Sequence, residues 1–207
     1  DAEDLTVRKL YDRNGSYSED AVIGQMNTND FDLVGHTGHS GVSYVMGLMG
    51  DQITGLTNTH YFLTYSIGCY SASFDNRLLG DDYAGYDSAG EKFVVGAKTG
   101  AYAYIGNSRL GWAVPGEIGG PSYEFNKSFV EAVFVQQYDQ LGPAFNESKN
   151  DLIGKALDSA SYLWIYYDLN LLGDPFTYVT NAGYDGSEDA DRQFAVGSDN
   201  GESDDDL

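Results

Sequence analysis

The chain holds one cysteine, Cys69, and three histidines, His36, His39 and His60. A cysteine attacks a carbonyl carbon as its thiolate, and an ordinary thiol pKa of about 8.5 leaves only a small fraction ionised at neutral pH. An imidazole within reach raises that fraction and can later protonate a leaving amine. His39 is the histidine placed for this role, 30 residues before Cys69. Gly38 precedes it and Gly68 precedes Cys69, so neither neighbour carries a side chain where a substrate backbone must approach. Main-chain N–H groups at Ser40 and Cys69 are available as oxyanion donors. A lone cysteine is more often a small buried apolar residue than a nucleophile, so its place in the fold must decide. His60 reads as structural, at the start of a strand. His36 reads as a scaffold or hydrogen-bonding residue that could also line the site.

The elements around these residues supply that place. Ser16-Tyr-Ser-Glu19 has the form of a capping box opening a helix through about Asn27. Phe31–Gly35 reads as a short buried strand running into His36-Thr-Gly-His39. A glycine-rich stretch from Ser40 to Gly55 follows. Thr59–Ile67 is β-branched and aromatic and reads as a second strand, ending at Gly68-Cys69. Ser73–Leu79 is expected to form a short helix. Glu91–Thr99 is expected to form another, stopped by Gly100. Ala101–Gly106 is a third strand. Tyr123–Tyr138 has helical spacing, and Asp151–Ser161 is expected to be helical. Leu169–Pro175 reads as a turn, and Phe176–Val179 as a last strand.

Strands alternate with helices, which predicts an α/β fold with a mostly parallel sheet. Ligands bind at the carboxyl ends of strands in such sheets. Both His39 and Cys69 follow predicted strand ends. Their separation suits one crossover between adjacent parallel strands, which would place them side by side.

Composition narrows the function. A hydrophobic share of 42% and an aromatic share of 14% support a packed core. The apolar runs are too short to cross a bilayer. A net charge of −21 repels phosphate backbones and anionic lipid, so nucleic acid and membrane insertion are not expected. One cysteine cannot form an internal disulfide, and one Cys with three His argues against a structural zinc site. Tyr184–Leu207 carries a net charge of −8 and reads as an acidic tail or linker, leaving residues 1–183 as the folded domain. Asp185–Asp191 has acids without EF-hand spacing. Structural calcium is possible, and any metal ligands are unknown. The acid-rich, lysine-poor composition suits a secreted or cell-surface setting.

Four blocks resemble the gingipain-type cysteine peptidases, a caspase-like clan. Asp32-Leu-Val-Gly-His-Thr-Gly-His-Ser40 is similar to that family's strand and Gly-His-Gly motif, with His39 at the catalytic histidine. Phe62-Leu-Thr-Tyr-Ser-Ile-Gly-Cys-Tyr-Ser-Ala-Ser-Phe74 resembles the strand and elbow of the nucleophile, with Cys69 in that position. Thr99–Arg109 with Gly111-Trp112 resembles the next strand and specificity loop. Leu169-Asn-Leu-Leu-Gly-Asp-Pro175 resembles the motif near the domain's end. The likeness covers about residues 5–180.

The resemblance implies a caspase-like three-layer sandwich and a cysteine endopeptidase acting on proteins or peptides, with no cofactor required. It places Thr37, Gly38, Ile67 and Trp112 on the wall of the S1 pocket. Two features depart from the family pattern. Ser40 stands where the family has Gly, which would be strained if the position needs positive φ. The upstream strands, with the acid that orients the histidine, are expected to be missing. They would be cut away or supplied by an N-terminal fragment as a separate chain. The alternative is a catalytically inactive, peptidase-like structural or assembly domain at a cell surface.

Overall fold

The computed structural model describes residues 6–78, 82–96, 99–114 and 119–179, and the strand at 193–198. In chain order the strands are β1 (Thr6–Arg8), β2 (Phe31–Thr37), β3 (Tyr44–Val45), β4 (Leu48–Met49), β5 (Phe62–Ser66), β6 (Ala101–Asn107), β7 (Leu169–Gly173) and β8 (Gln193–Ser198). The helices are α1 (Glu19–Met26), α2 (Gly50–Thr54), α3 (Ala89–Val94), α4 (Pro121–Phe134), α5 (Leu141–Asp151), α6 (Ile153–Asp158) and α7 (Ala160–Asp168). The main sheet runs β1-β8-β2-β5-β6-β7, parallel throughout except for β7, which pairs antiparallel with β6.

Alternation along the strands divides the core into two. Leu33, Leu63, Tyr65, Ala103 and Ile105 face a cluster built with Phe125, Phe129, Leu141, Phe145 and Ile165 from α4, α5 and α7. Val34, Phe62 and Tyr104 face the other way, against Val22, Met26, Ile53 and Phe93 from α1, α2 and α3, and Ala101 joins them across a register shift at the start of the β5–β6 pairing. The fold is therefore helices, sheet, helices, a three-layer α/β sandwich with strands buried on both faces.

Several local expectations shift. The cap of α1 is Ser18, whose Oγ accepts from Ala21 N–H at 3.1 Å. Ser16 instead accepts the Tyr11 N–H at 2.8 Å and belongs to a turn. Residues 73–78 form turns, not a helix; Asn76 takes φ 58°, outside helical geometry. Helix α3 starts earlier than expected, at a capping box formed by Ser88 and Glu91. Leu169–Gly173 is a strand, and Phe176–Val179 is not, making one isolated bridge from Tyr178 to Gln140.

The tail expectation also changes in part. Within Tyr184–Leu207, residues Gln193–Ser198 form β8 between β1 and β2. Strand pairing draws on main-chain groups, so an acid-flanked segment can still fill a sheet position. The edge of β2 away from β5 is thus paired, by β8. The rest of that tail lies outside the described residues.

Candidate active site

Strands β2 and β5 are parallel neighbours in the register His36↔Ser66, and Ile67 N–H donates to His36 O at 3.0 Å. His39 and Cys69 each lie three residues beyond a member of that paired set. Both leave the sheet at its carboxyl edge, as their positions in the sequence predict. The two loops then touch. Ser40 Oγ donates to the Cys69 carbonyl at 2.6 Å. A Cβ on Gly68 would lie 2.1 Å from Ser40 Oγ and 2.9 Å from Gly38 O, so only glycine allows this approach. Ser40 does not take positive φ, and the strain that its side chain could have caused is absent.

The strain sits one residue past the cysteine. Tyr70 takes φ 58°, the left-handed region in which a bulky residue is an outlier. Its N–H is held by Arg109 O at 2.7 Å. Asn107, fully buried at the end of β6, donates through Nδ2 to Ile67 O at 3.0 Å and Gly68 O at 3.1 Å. These bonds fix the chain reversal that turns Cys69 off β5.

The thiol is half-buried. Gly111 N–H donates to Cys69 Sγ at 3.3 Å. Burial pushes the thiol pKa up, the Gly111 bond lowers it, and the Asp168 charge raises it. His39 is exposed, and beneath it His36 Nδ1 meets Ser66 Oγ at 2.8 Å. Ser66 Oγ also accepts the Gly68 N–H at 3.2 Å, so His36 braces the elbow through one hydroxyl. Burial, with His39 nearby, brings the His36 pKa down to about 4, which keeps it neutral. His60 is held by Asp32 Oδ1 at 3.0 Å, a structural placement.

The substrate-binding candidates divide. Thr37 and Gly38 line a cavity of about 270 Å³ with His36, His39, Val22, Met26 and Met46. Ile67 and Trp112 do not line it. Ile67 packs on the core and takes the Asn107 bond on its carbonyl. Trp112 is 44% exposed, directly after the glycine that touches the thiol, and its N–H donates to Ser122 Oγ at 2.9 Å. Sequence patterns carry no sign of Asn107, Tyr70 or Asp168. Their roles arise from register between strands distant in sequence. Among the described residues no group of three or more His, Cys, Asp or Glu is arranged to hold a metal ion, and no helix is long and apolar enough to cross a membrane.

Comparison with known proteins bears on the fold and the family. The crystal structure of the Arg-specific cysteine proteinase gingipain R matches with TM-score 0.63 and 15% identity, over 78% of this chain and 36% of that chain. A second structure, described as a protease, matches with TM-score 0.56 and 21% identity, over 75% of this chain and 36% of that chain. The chain thus spans about a third of the length of each, and at these identities the likeness establishes the caspase-like fold. No curated protein sequence matches. The family model for Peptidase family C25 matches residues 1–180, and the chain belongs to that family, the gingipain family of cysteine peptidases.

Proposed function

We propose that this chain carries the histidine–cysteine centre of an endopeptidase, with Cys69 as nucleophile and His39 as general acid and base. One observation carries the reading: adjacent parallel strands deliver His39 and Cys69 to the same sheet edge, with Ser40 bonded to the Cys69 carbonyl. In the forward step Cys69 loses its proton to His39, Sγ bonds to the scissile carbonyl carbon, and main-chain N–H groups at Ser40 and Cys69 receive the oxyanion. Collapse breaks the C–N bond, and His39 returns the proton to the leaving amine. Water, deprotonated by His39, then releases the acyl group and restores the thiol. No cofactor is needed for these steps. Protein or peptide chains are the substrates, with exposed Trp112, next in sequence to the glycine that meets the thiol, offering an aromatic face. The acid-rich composition supports work outside the cell or at its surface.

A second reading is favoured by one observation. The thiol is half-buried, and burial and the Asp168 charge oppose the thiolate against the single Gly111 N–H that favours it, as suits an inert peptidase-like domain with an assembly role. A peptidyl acyloxymethyl ketone separates the two. Modification of Cys69, detected by peptide mass spectrometry and lost in His39→Ala, supports the peptidase. An unmodified Cys69 in folded protein, across ketones of varied side chain, supports the inert domain.

A further inference from the structure

Asp168 closes α7 and is 5% exposed. Its main-chain carbonyl accepts the Ser108 N–H at 2.9 Å and the Ser108 Oγ at 3.1 Å. Its Oδ1 accepts the same hydroxyl at 3.0 Å. Its Oδ2 is buried with no hydrogen-bond partner. A buried carboxyl oxygen without a partner is costly and calls for a reason. The segment it grips leads straight to the thiol. Arg109 O takes the Tyr70 N–H. Leu110 O accepts from Trp164 Nε1, also on α7, at 2.9 Å. Gly111 N–H then meets Cys69 Sγ. Helix α7 and the elbow therefore both hold this loop.

We propose that Asp168 is a positioning residue for Cys69: through Ser108 it holds the loop that presents Gly111 to the thiol, and it sets one carboxyl behind that loop. The proposal rests on the reading of Cys69 as nucleophile. Three charged or titratable groups face Asp168. Arg109 lies on the loop but is committed to Asp75 at 2.6 Å. Lys149 on α5 donates to the Tyr166 and Leu169 carbonyls at 2.8 and 2.9 Å. Cys69 is the third. Neither cation bonds to Oδ2. Burial lifts the Asp168 pKa to about 6, against the pull of the Ser108 hydroxyl, the Arg109 main-chain N–H, and the Arg109 and Lys149 charges. The carboxyl thus gains its charge just below neutral pH, and that charge then works against the thiolate. Order in the loop and charge behind it act on the thiol in opposite senses.

The test is the rate of Cys69 methylthiolation by methyl methanethiosulfonate, read by intact mass across about pH 5 to 10.5. Asp168→Asn keeps an oxygen for Ser108 and removes the charge. Its rate profile should move to lower pH by roughly 0.5–1 unit. Asp168→Glu, which keeps the charge, should stay close to wild type. In wild type, the rise of log rate with pH should flatten near pH 6 as the carboxyl ionises. An Asp168→Asn profile that is unmoved or shifted to higher pH overturns the proposal. So does a wild-type slope of one throughout about pH 5 to 7, which decides the matter even if the variant does not fold. Methylthiolation requires no peptide turnover. A wild type that labels as expected yet cleaves no peptide removes the peptidase reading and leaves the role of Asp168 standing.

Discussion

Ser40 Oγ donates to the main-chain carbonyl of Cys69 at 2.6 Å, tying the residue after His39 to Cys69 itself. Ser40→Ala removes that bond from a half-buried contact. Stability should fall by about 0.5–1.5 kcal/mol in urea unfolding, and peptide hydrolysis should fall with it. Unchanged stability and unchanged hydrolysis would show that the two loops hold their places without this bond.

Asn107 should matter more. Its amide serves the carbonyls of both Ile67 and Gly68, so Asn107→Ala leaves two buried acceptors unpaired. The expected loss is about 2–4 kcal/mol, with slower Cys69 alkylation as the elbow loosens. A loss no larger than that of Ser40→Ala would contradict this ranking.

Tyr70 supplies a test of strain. A left-handed conformation costs a bulky residue roughly 1–2 kcal/mol relative to glycine. Tyr70→Gly recovers this cost while losing a half-buried ring, so its stability should stay within about 1 kcal/mol of wild type. Tyr70→Val keeps the strain, adds β-branching, and should be clearly less stable than Tyr70→Gly. Equal stability of the two variants would mean that the turn relaxes.

Two groups, half-buried His36 and buried Asp168, pull the acid response in opposite directions. His36 is held at about 4, below its unfolded value. Between that pKa and about 6.5 the unfolded chain binds more protons, so stability falls as pH falls. Asp168 is held at about 6, above its unfolded value. Between about 3.9 and that pKa the folded chain binds more protons, so this group's cost at neutral pH is relieved as pH falls. His36→Asn should therefore lose less of its Tm than wild type between pH 7 and 4. Asp168→Asn should lose more. Parallel Tm curves for all three proteins would contradict both assignments.

The parts of this site legible in the sequence are those with local signals. Phe31–Gly35 and Thr59–Ile67 carry strand signals just ahead of His36–His39 and Gly68-Cys69, and they supply the central neighbours β2 and β5. Helix α5 opens on Gly142-Pro143, a pair of poor helix formers. In the structure that proline occupies the first helical turn, where a missing N–H costs little. Helix α7 was hidden by Tyr162–Tyr167, whose aromatic, β-branched composition resembles a strand; packing of Ile165 into the core overrides it. Asp168 and Asn107 act across 60 and about 40 residues of chain. Only the register of the sheet brings them to Cys69, and no spacing in the sequence encodes that.

The most direct test is hydrolysis of a broad peptide mixture by wild type, Cys69→Ala and His39→Ala, each compared after folding is checked by circular dichroism. If Cys69 and His39 form the catalytic pair, wild type cleaves, Cys69→Ala loses about 10³-fold or more, and His39→Ala loses about 10²–10⁴-fold. Cleavage by folded Cys69→Ala at the wild-type rate would contradict the assignment of Cys69 as the nucleophile.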